Sequence, residues 1–66
     1  MKKLQLSKEI YSKQSVSNAI AAYSGYARIT VFEKRNCLQL TFRNCKYDES
    51  RTVKEFENYL ISLENI

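Results

Sequence analysis

The stretch ARITVFEKRNCLQLTFR, residues 27–43, decides the fold because two alternating apolar runs flank a short polar segment. The apolar rows consist of Ile29 and Val31 in the first run, and of Leu38, Leu40 and Phe42 in the second. The polar residues EKRN, 33–36, form the predicted turn. A register that pairs residue 31 with 38 and residue 29 with 40 joins apolar to apolar positions, so we predict a β-hairpin with this register.

The residues before the hairpin predict a strand and a helix. Residues 3–7, KLQLS, alternate and predict a first strand. Ser12 is a suitable N-cap for a helix, and Gly25 is expected to end that helix through its backbone freedom. The apolar face of the helix consists of Val16, Ala19, Ile20 and Tyr23.

A second helix is predicted over residues 48–66, DESRTVKEFENYLISLENI. Asp48 and Glu49 suit the positive end of its dipole, and Thr52 with Glu55 has the spacing of a capping box. Its apolar stripe consists of Val53, Phe56, Leu60 and Leu63.

The predicted order is strand, helix, strand, strand, helix. This is an α+β fold, namely the ferredoxin-like βαββαβ arrangement without its last strand. We expect one domain over residues 1–66, with two helices on one face of a three-stranded antiparallel sheet. In the complete arrangement the last strand pairs beside the first, so residues 3–7 should present an open edge.

Length and composition bound the function. A chain of 66 residues, 44% hydrophobic and 27% charged, is a small folded domain with a marginal core, which favours a partner or a second copy. The net charge of +4 favours anionic partners, but the basic residues are spread, with no run longer than two. No apolar stretch has the length of an export signal or a membrane span, so we expect a cytoplasmic protein without a membrane partner.

The residue types argue against catalysis. The chain has no histidine and one glycine, which removes the usual general base, most catalytic triads and Gly-rich phosphate loops. Glu33, Glu55 and Glu57 fall on predicted solvent faces without a paired spacing, and we interpret them as surface charges. We therefore predict a protein that is not an enzyme and has no catalytic residue, cofactor or metal site.

The two cysteines are predicted to be free thiols. A straight strand from Cys37 to Cys45 would separate them by about 26 Å, whereas a disulfide needs α-carbons within about 7 Å. Two cysteines without histidine also fall short of a four-ligand zinc site. The alternative is a redox role for Cys37, which is expected to project beside Phe32 from the open sheet face.

The open face of the sheet is the candidate partner surface. Its solvent-side positions carry three positive charges, no negative charge and one aromatic ring. The candidate residues are Lys3, Gln5, Ser7, Arg28, Phe32 and Arg43. The leading hypothesis is docking of a peptide, a protein or a second copy at this face or at the first-strand edge, and the alternative is binding of RNA or single-stranded DNA. The five tyrosines are interpreted as boundary packing residues.

The run IYSKQSVSNAIAAYSGYARITV, residues 10–31, resembles the small HxsD-like proteins of His-Xaa-Ser peptide maturation systems. The residues that carry this resemblance are Ile10, Tyr11, Ala19, Ile20, Ala22 and Tyr23. The closing segment EFENYLISLENI, residues 55–66, is similar to the last helix of that family. The resemblance implies a non-enzymatic accessory protein that works beside radical S-adenosylmethionine enzymes, with no catalytic residue carried over.

Overall fold

A computed structural model describes residues 1–65, and its elements follow the predicted order. They are β1 (Lys2–Ser7), α1 (Lys13–Ala22), β2 (Arg28–Glu33), β3 (Cys37–Arg43) and α2 (Glu49–Glu64). The predicted α+β fold is confirmed. The prediction that the last helix continues to Ile66 falls at that residue outside the described part of the chain.

The three strands form one antiparallel sheet in the order β1-β3-β2. Strand β3 lies in the centre, with its hairpin partner β2 on one side and β1 on the other, as the ferredoxin-like arrangement requires. Within residues 1–65 no strand lies beyond β1, which agrees with the prediction of an open edge there. The same order also makes β2 an edge strand.

The hairpin register differs from the predicted one by two residues. Val31 lies opposite Leu40 and Ile29 opposite Phe42, whereas the sequence pattern had suggested residues 38 and 40 as their partners. The turn is the cause, because the Lys34 N–H donates to the Cys37 carbonyl at 2.8 Å and only residues 35 and 36 remain between them. A shift of two residues preserves the faces, so each predicted inner side chain remains on the inner face.

The first helix starts as predicted but ends by a different route. The Ser12 side chain accepts a hydrogen bond from the Ser15 N–H at 3.1 Å, which confirms it as the N-cap. Helix α1 ends at Ala22, and Gly25 has no positive φ, so the predicted role of Gly25 is wrong. The described residue that does adopt a left-handed conformation is Asn44, at φ 52°, where the chain turns out of β3.

The second helix begins earlier than its predicted capping box. Asp48 is the N-cap, and its Oδ2 accepts a hydrogen bond from the Arg51 N–H at 2.9 Å. Thr52 therefore lies inside the helix, where its hydroxyl donates to the Asp48 carbonyl at 2.8 Å. The predicted capping box of Thr52 and Glu55 is wrong, because a capping residue must precede the helix.

The core lies between the inner face of the sheet and the two helices. Its fully buried large side chains are Leu6, Leu40, Phe42, Phe56 and Leu60. Val31 is the exception among the predicted inner-face residues, because 46% of it is exposed at the β2 edge. The helices thus cover β3 and most of β1 but leave part of β2 bare.

Two carboxylates connect distant parts of the chain. Glu33, the last residue of β2, lies 2.7 Å from the ammonium groups of both Lys8 and Lys13. Hydrogen bonds from Lys13 and Lys8 lower the pKa of Glu33 to about 2. Glu64, at the end of α2, accepts hydrogen bonds at 3.1 Å from the N–H and the hydroxyl of Ser12. Glu33 is therefore a structural charge, as the sequence suggested.

Candidate functional site

The open face of the sheet carries all six predicted surface residues. Alternation along the strands and the observed register arrange its side chains in rows across the three strands. One row consists of Gln5, Gln39 and Phe32, and the next consists of Lys3, Thr41 and Thr30. Ser7 lies opposite Cys37 in a third row, and Arg28 lies opposite Arg43 in the fourth.

These rows bring the three cations together and separate them from the aromatic ring. Arg28 and Arg43 are direct cross-strand partners, and Lys3 occupies the neighbouring row. We call these three residues the basic corner. Phe32 is 66% exposed but lies four residues along β2 from Arg28, which is about 13 Å. Phe32 therefore lies on the same face as the basic corner but apart from it.

The cysteines are free, as predicted, and both are partly buried. Cys37 lies opposite Ser7, whereas the residue facing Phe32 is Gln39, so the expected pairing of Cys37 with Phe32 is wrong. Cys45 packs against the core, and burial raises the pKa of its thiol. Because a thiol must lose its proton to react, this shift makes Cys45 less reactive.

The β1 edge offers few free main-chain groups. The Lys8 N–H donates to the Asn36 carbonyl at 3.2 Å and continues the β1–β3 register, so Leu4 and Leu6 also face β3. Lys3 and Gln5 must then point their N–H and carbonyl groups outward. The Ser7 carbonyl also points outward, but it already accepts from the N–H groups of residues 10 and 11.

By the same argument, the β2 edge offers more free main-chain groups than the β1 edge. The bond from the Lys34 N–H to the Cys37 carbonyl fixes which residues face β3, and these include Thr30 and Phe32. The main-chain groups of Ile29, Val31 and Glu33 consequently point away from the sheet. Among residues 1–65 none of these outward groups has a main-chain or side-chain hydrogen-bond partner. The sequence could have identified this edge, since β2 is an outer strand of the predicted arrangement.

An apolar groove runs beside the β2 edge on the helix side. Its volume is about 210 Å³, and we call it the α1–β2 groove. Its lining consists of Val16, Ile20, Val31 and Leu38 with Lys13, Ser17 and Glu33 at its rim. An added strand at the β2 edge would extend the sheet under this groove and could place alternate side chains in it.

The sequence interpretation missed a cluster of tyrosines at one end of the molecule. Tyr23 lies 5.7 Å from Tyr26 and 5.8 Å from Tyr59 between ring centroids. Tyr26 in turn lies 6.1 Å from Tyr47. These four residues come from the loop after α1, the loop after β3, and α2, so no spacing in the sequence signals their association.

Comparisons of the chain with protein-family models, with curated proteins and with solved structures find no match. No helix within residues 1–65 has the length and apolarity needed to cross a membrane. In the same part of the chain, no group of three or more His, Cys, Asp or Glu side chains is arranged to hold a metal ion.

Proposed function

We propose that this protein is a non-enzymatic binding module that docks an extended polypeptide segment by strand addition at the β2 edge. The observation that carries this proposal is the set of outward main-chain groups of Ile29, Val31 and Glu33. Strand addition would give these groups the hydrogen bonds that the free domain leaves to water.

The side chains around the edge indicate what the segment should look like. Val31 is 46% exposed above the α1–β2 groove, so an apolar side chain on the helix side would remove both surfaces from water. On the opposite side of the added strand, Arg28 favours an acidic side chain. The expected segment therefore alternates, with aliphatic residues on one face and at least one carboxylate on the other. A partner protein or a second copy of the chain could supply it.

Selection from a random peptide library on the immobilised domain tests this proposal. We expect enrichment of alternating aliphatic and acidic peptides that lose binding when Val31 is replaced by proline. Val31→Pro removes an outward N–H and leaves the N–H groups that face β3 in place, so the domain should stay folded. Circular dichroism checks the folding, and Val31→Lys, which keeps the N–H but puts a charge at the groove, is the second variant.

Gln5→Pro is the matched control at the β1 edge, because its N–H also points outward. Peptides that bind Gln5→Pro normally and fail on Val31→Pro support docking at the β2 edge. The opposite pattern would move the site to β1, where the sequence had suggested it. Unchanged binding to both folded variants would eliminate strand addition. Sedimentation of the unmodified chain at two concentrations tells whether a second copy supplies the segment.

The resemblance to HxsD-like proteins suggests one source of such a segment. In that setting the module would be an accessory factor in ribosomal peptide maturation, and the segment would belong to the peptide or to its modifying enzymes. This assignment rests on residues 10–31 and 55–66 alone. Its test is direct titration with the candidate peptide, with Val31→Pro as the negative control.

The basic corner favours a second candidate, binding of RNA or single-stranded DNA. Lys3, Arg28 and Arg43 gather positive charge at one end of the open face. Each phosphate they neutralise should release counterions, so affinity for an oligonucleotide should fall steeply with salt. The double variant Arg28→Gln, Arg43→Gln keeps Lys3 but removes two of the three charges, so it should make this dependence markedly less steep. Equal affinity of the variant at low salt would exclude the basic corner as a phosphate site.

A further inference from the structure

The aromatic side chains form a continuous path from the core to the surface. Phe42 and Phe56 are fully buried, with ring centroids 5.2 Å apart in an edge-on arrangement. Phe56 contacts Tyr23 at 5.5 Å, and the path continues through Tyr26 to Tyr47. The outer rings are thus held in place by contacts that begin in the core, so ordering them on binding should cost little.

A cleft of about 220 Å³ opens beside these outer rings. We call it the tyrosine cleft, and its lining residues are Tyr23, Tyr26, Tyr47, Thr52 and Glu55. Tyr47 is 62% exposed, so its ring is accessible from solvent. Three of the five lining residues are aromatic, and Glu55 adds a carboxylate.

The electrostatics of the cleft favour a cation. The faces of aromatic rings carry negative potential, and a cation within about 6 Å of a ring centroid is attracted to it. Lys46 already makes such a contact, with its ammonium nitrogen 5.7 Å from the Tyr47 centroid. Burial raises the pKa of Tyr23, and the negative charge of Glu55 raises it further. The Glu55 carboxylate is therefore close enough to influence the electrostatics of the Tyr23 ring.

The polar groups of the cleft are largely committed to other partners. The Thr52 hydroxyl donates to the Asp48 carbonyl, and Glu55 Oε1 accepts from the Arg51 side chain at 3.1 Å. A primary ammonium or a guanidinium would need several acceptors for its N–H groups. A methylated ammonium needs none, because it presents only methyl groups to the rings.

From this combination we infer that the tyrosine cleft binds a trimethylammonium group. The methyl groups would contact the rings of Tyr23, Tyr26 and Tyr47, and the charge would lie beside the ion pair of Glu55 and Arg51. The source of the group is either a small molecule of the choline type or a trimethylated lysine side chain in a polypeptide. This site is independent of the β2 edge and does not rest on the proposed docking of a strand.

A titration followed by NMR tests the inference. Choline should cause saturable shifts in the resonances of Tyr23, Tyr26, Tyr47 and Glu55. Its neutral isostere 3,3-dimethylbutan-1-ol has the same shape without the charge, and it should bind about tenfold more weakly. Equal binding of the two probes, or the absence of saturable shifts at these residues, would overturn the inference.

Two substitutions distinguish the contribution of the cleft's tyrosine rings to binding from a general effect on the fold. Tyr47→Leu keeps an apolar side chain but removes the π face, so choline affinity should fall about tenfold. Tyr59→Leu is the matched control, because Tyr59 belongs to the same cluster but does not line the cleft. Equal losses in both variants would contradict a specific cage. A second series with a peptide carrying trimethyllysine, compared with its unmodified form, identifies the source through the tighter of the two ligands.

Discussion

The two edges of the sheet differ in what protects them. At β1, Leu6 is buried and Leu4 half-buried beneath the helices, and the strand begins with the charged residues Lys2 and Lys3. At β2, nearly every residue is exposed, including Val31 on the helix side and Phe32 on the open side. Covered edges resist pairing with other chains, whereas edges with exposed apolar side chains invite it.

A missing strand therefore does not by itself identify the edge that is most open to pairing. The fourth strand of the ferredoxin-like arrangement would lie beside β1, so its absence predicts an open edge at residues 3–7. At β1, two outward-facing residues have both main-chain groups free, and at β2 there are three such residues. Only the β2 edge also exposes large apolar side chains. Coverage of the side chains, rather than the count of strands, separates the two edges.

Proline substitutions should have the largest effect on stability, and the size of that effect should depend on whether the lost N–H faces β3 or solvent. Thr30→Pro removes an N–H that faces β3, so we expect a loss of roughly 3 kcal/mol in unfolding free energy, or complete unfolding. Val31→Pro removes an outward N–H and should cost about 1 kcal/mol. Urea denaturation measures both, with Leu4→Pro and Gln5→Pro as the equivalent pair at β1. Equal losses within a pair would contradict the assigned orientation of that strand.

Truncation of inner-face side chains should show the next largest effect. Leu6 is 1% exposed, and Leu6→Ala should cost about 2–5 kcal/mol through lost burial and a cavity. Val31→Ala removes a side chain that is already 46% exposed and should cost less than about 1 kcal/mol. Chemical denaturation measures both values. A large loss from Val31→Ala would mean that the β2 edge is covered in solution.

The Glu33 carboxylate at the end of β2 should give a smaller, pH-dependent effect. Its pKa is about 2 in the folded chain, below its ordinary value of 4.5, so its stabilising contribution is complete above that ordinary value. The contribution should disappear as the pH falls through about 2, and Glu33→Gln should lack this part of the acid profile. Thermal unfolding between pH 2 and 6 measures it. Glu9→Gln, in the exposed turn after β1, is the control, and an identical profile in both variants would refute the role of Glu33.

The smallest effect should come from the loop that leads into β2. Gly25 has no positive φ, and the space beside its α-carbon is open. Gly25→Ala should therefore raise the unfolding free energy by about 0.4–1 kcal/mol, because alanine restricts the unfolded chain. Asn44→Ala is the opposite control, since Asn44 adopts a left-handed conformation that alanine disfavours. Thermal denaturation should move the two variants in opposite directions.

The sequence predicted the faces of the strands better than their alignment. The period of two in residues 27–43 depends only on side-chain polarity, and it separated the buried Leu38, Leu40 and Phe42 correctly from the open face. The register depends on the geometry of the turn, and EKRN contains no glycine or proline that would specify its type. The two-residue error then changed which open-face residues are neighbours, although it changed no face.

The start of α2 and the tyrosine cleft could not be predicted from local sequence patterns. Ser12 could be identified because it lies one turn before Val16, where the apolar helical face begins, whereas Asp48 and Thr52 are both acceptable starts for α2. Only tertiary packing decides between them, since Thr52 is 4% exposed. The tyrosine cleft is assembled from three separate segments, and its existence follows from the fold alone.

The hydrogen bonds between Glu64 and Ser12 join residues that are 52 positions apart. A nascent chain therefore cannot complete the start of α1 until α2 has been synthesised and docked. Closing so long a loop costs conformational entropy, and local contacts do not offset that cost. The hydrogen bonds between Ser12 and Glu64 should therefore form late in folding. The two helices are thereby coupled into one cooperative unit, in which loss of the last turn of α2 is felt at the first turn of α1.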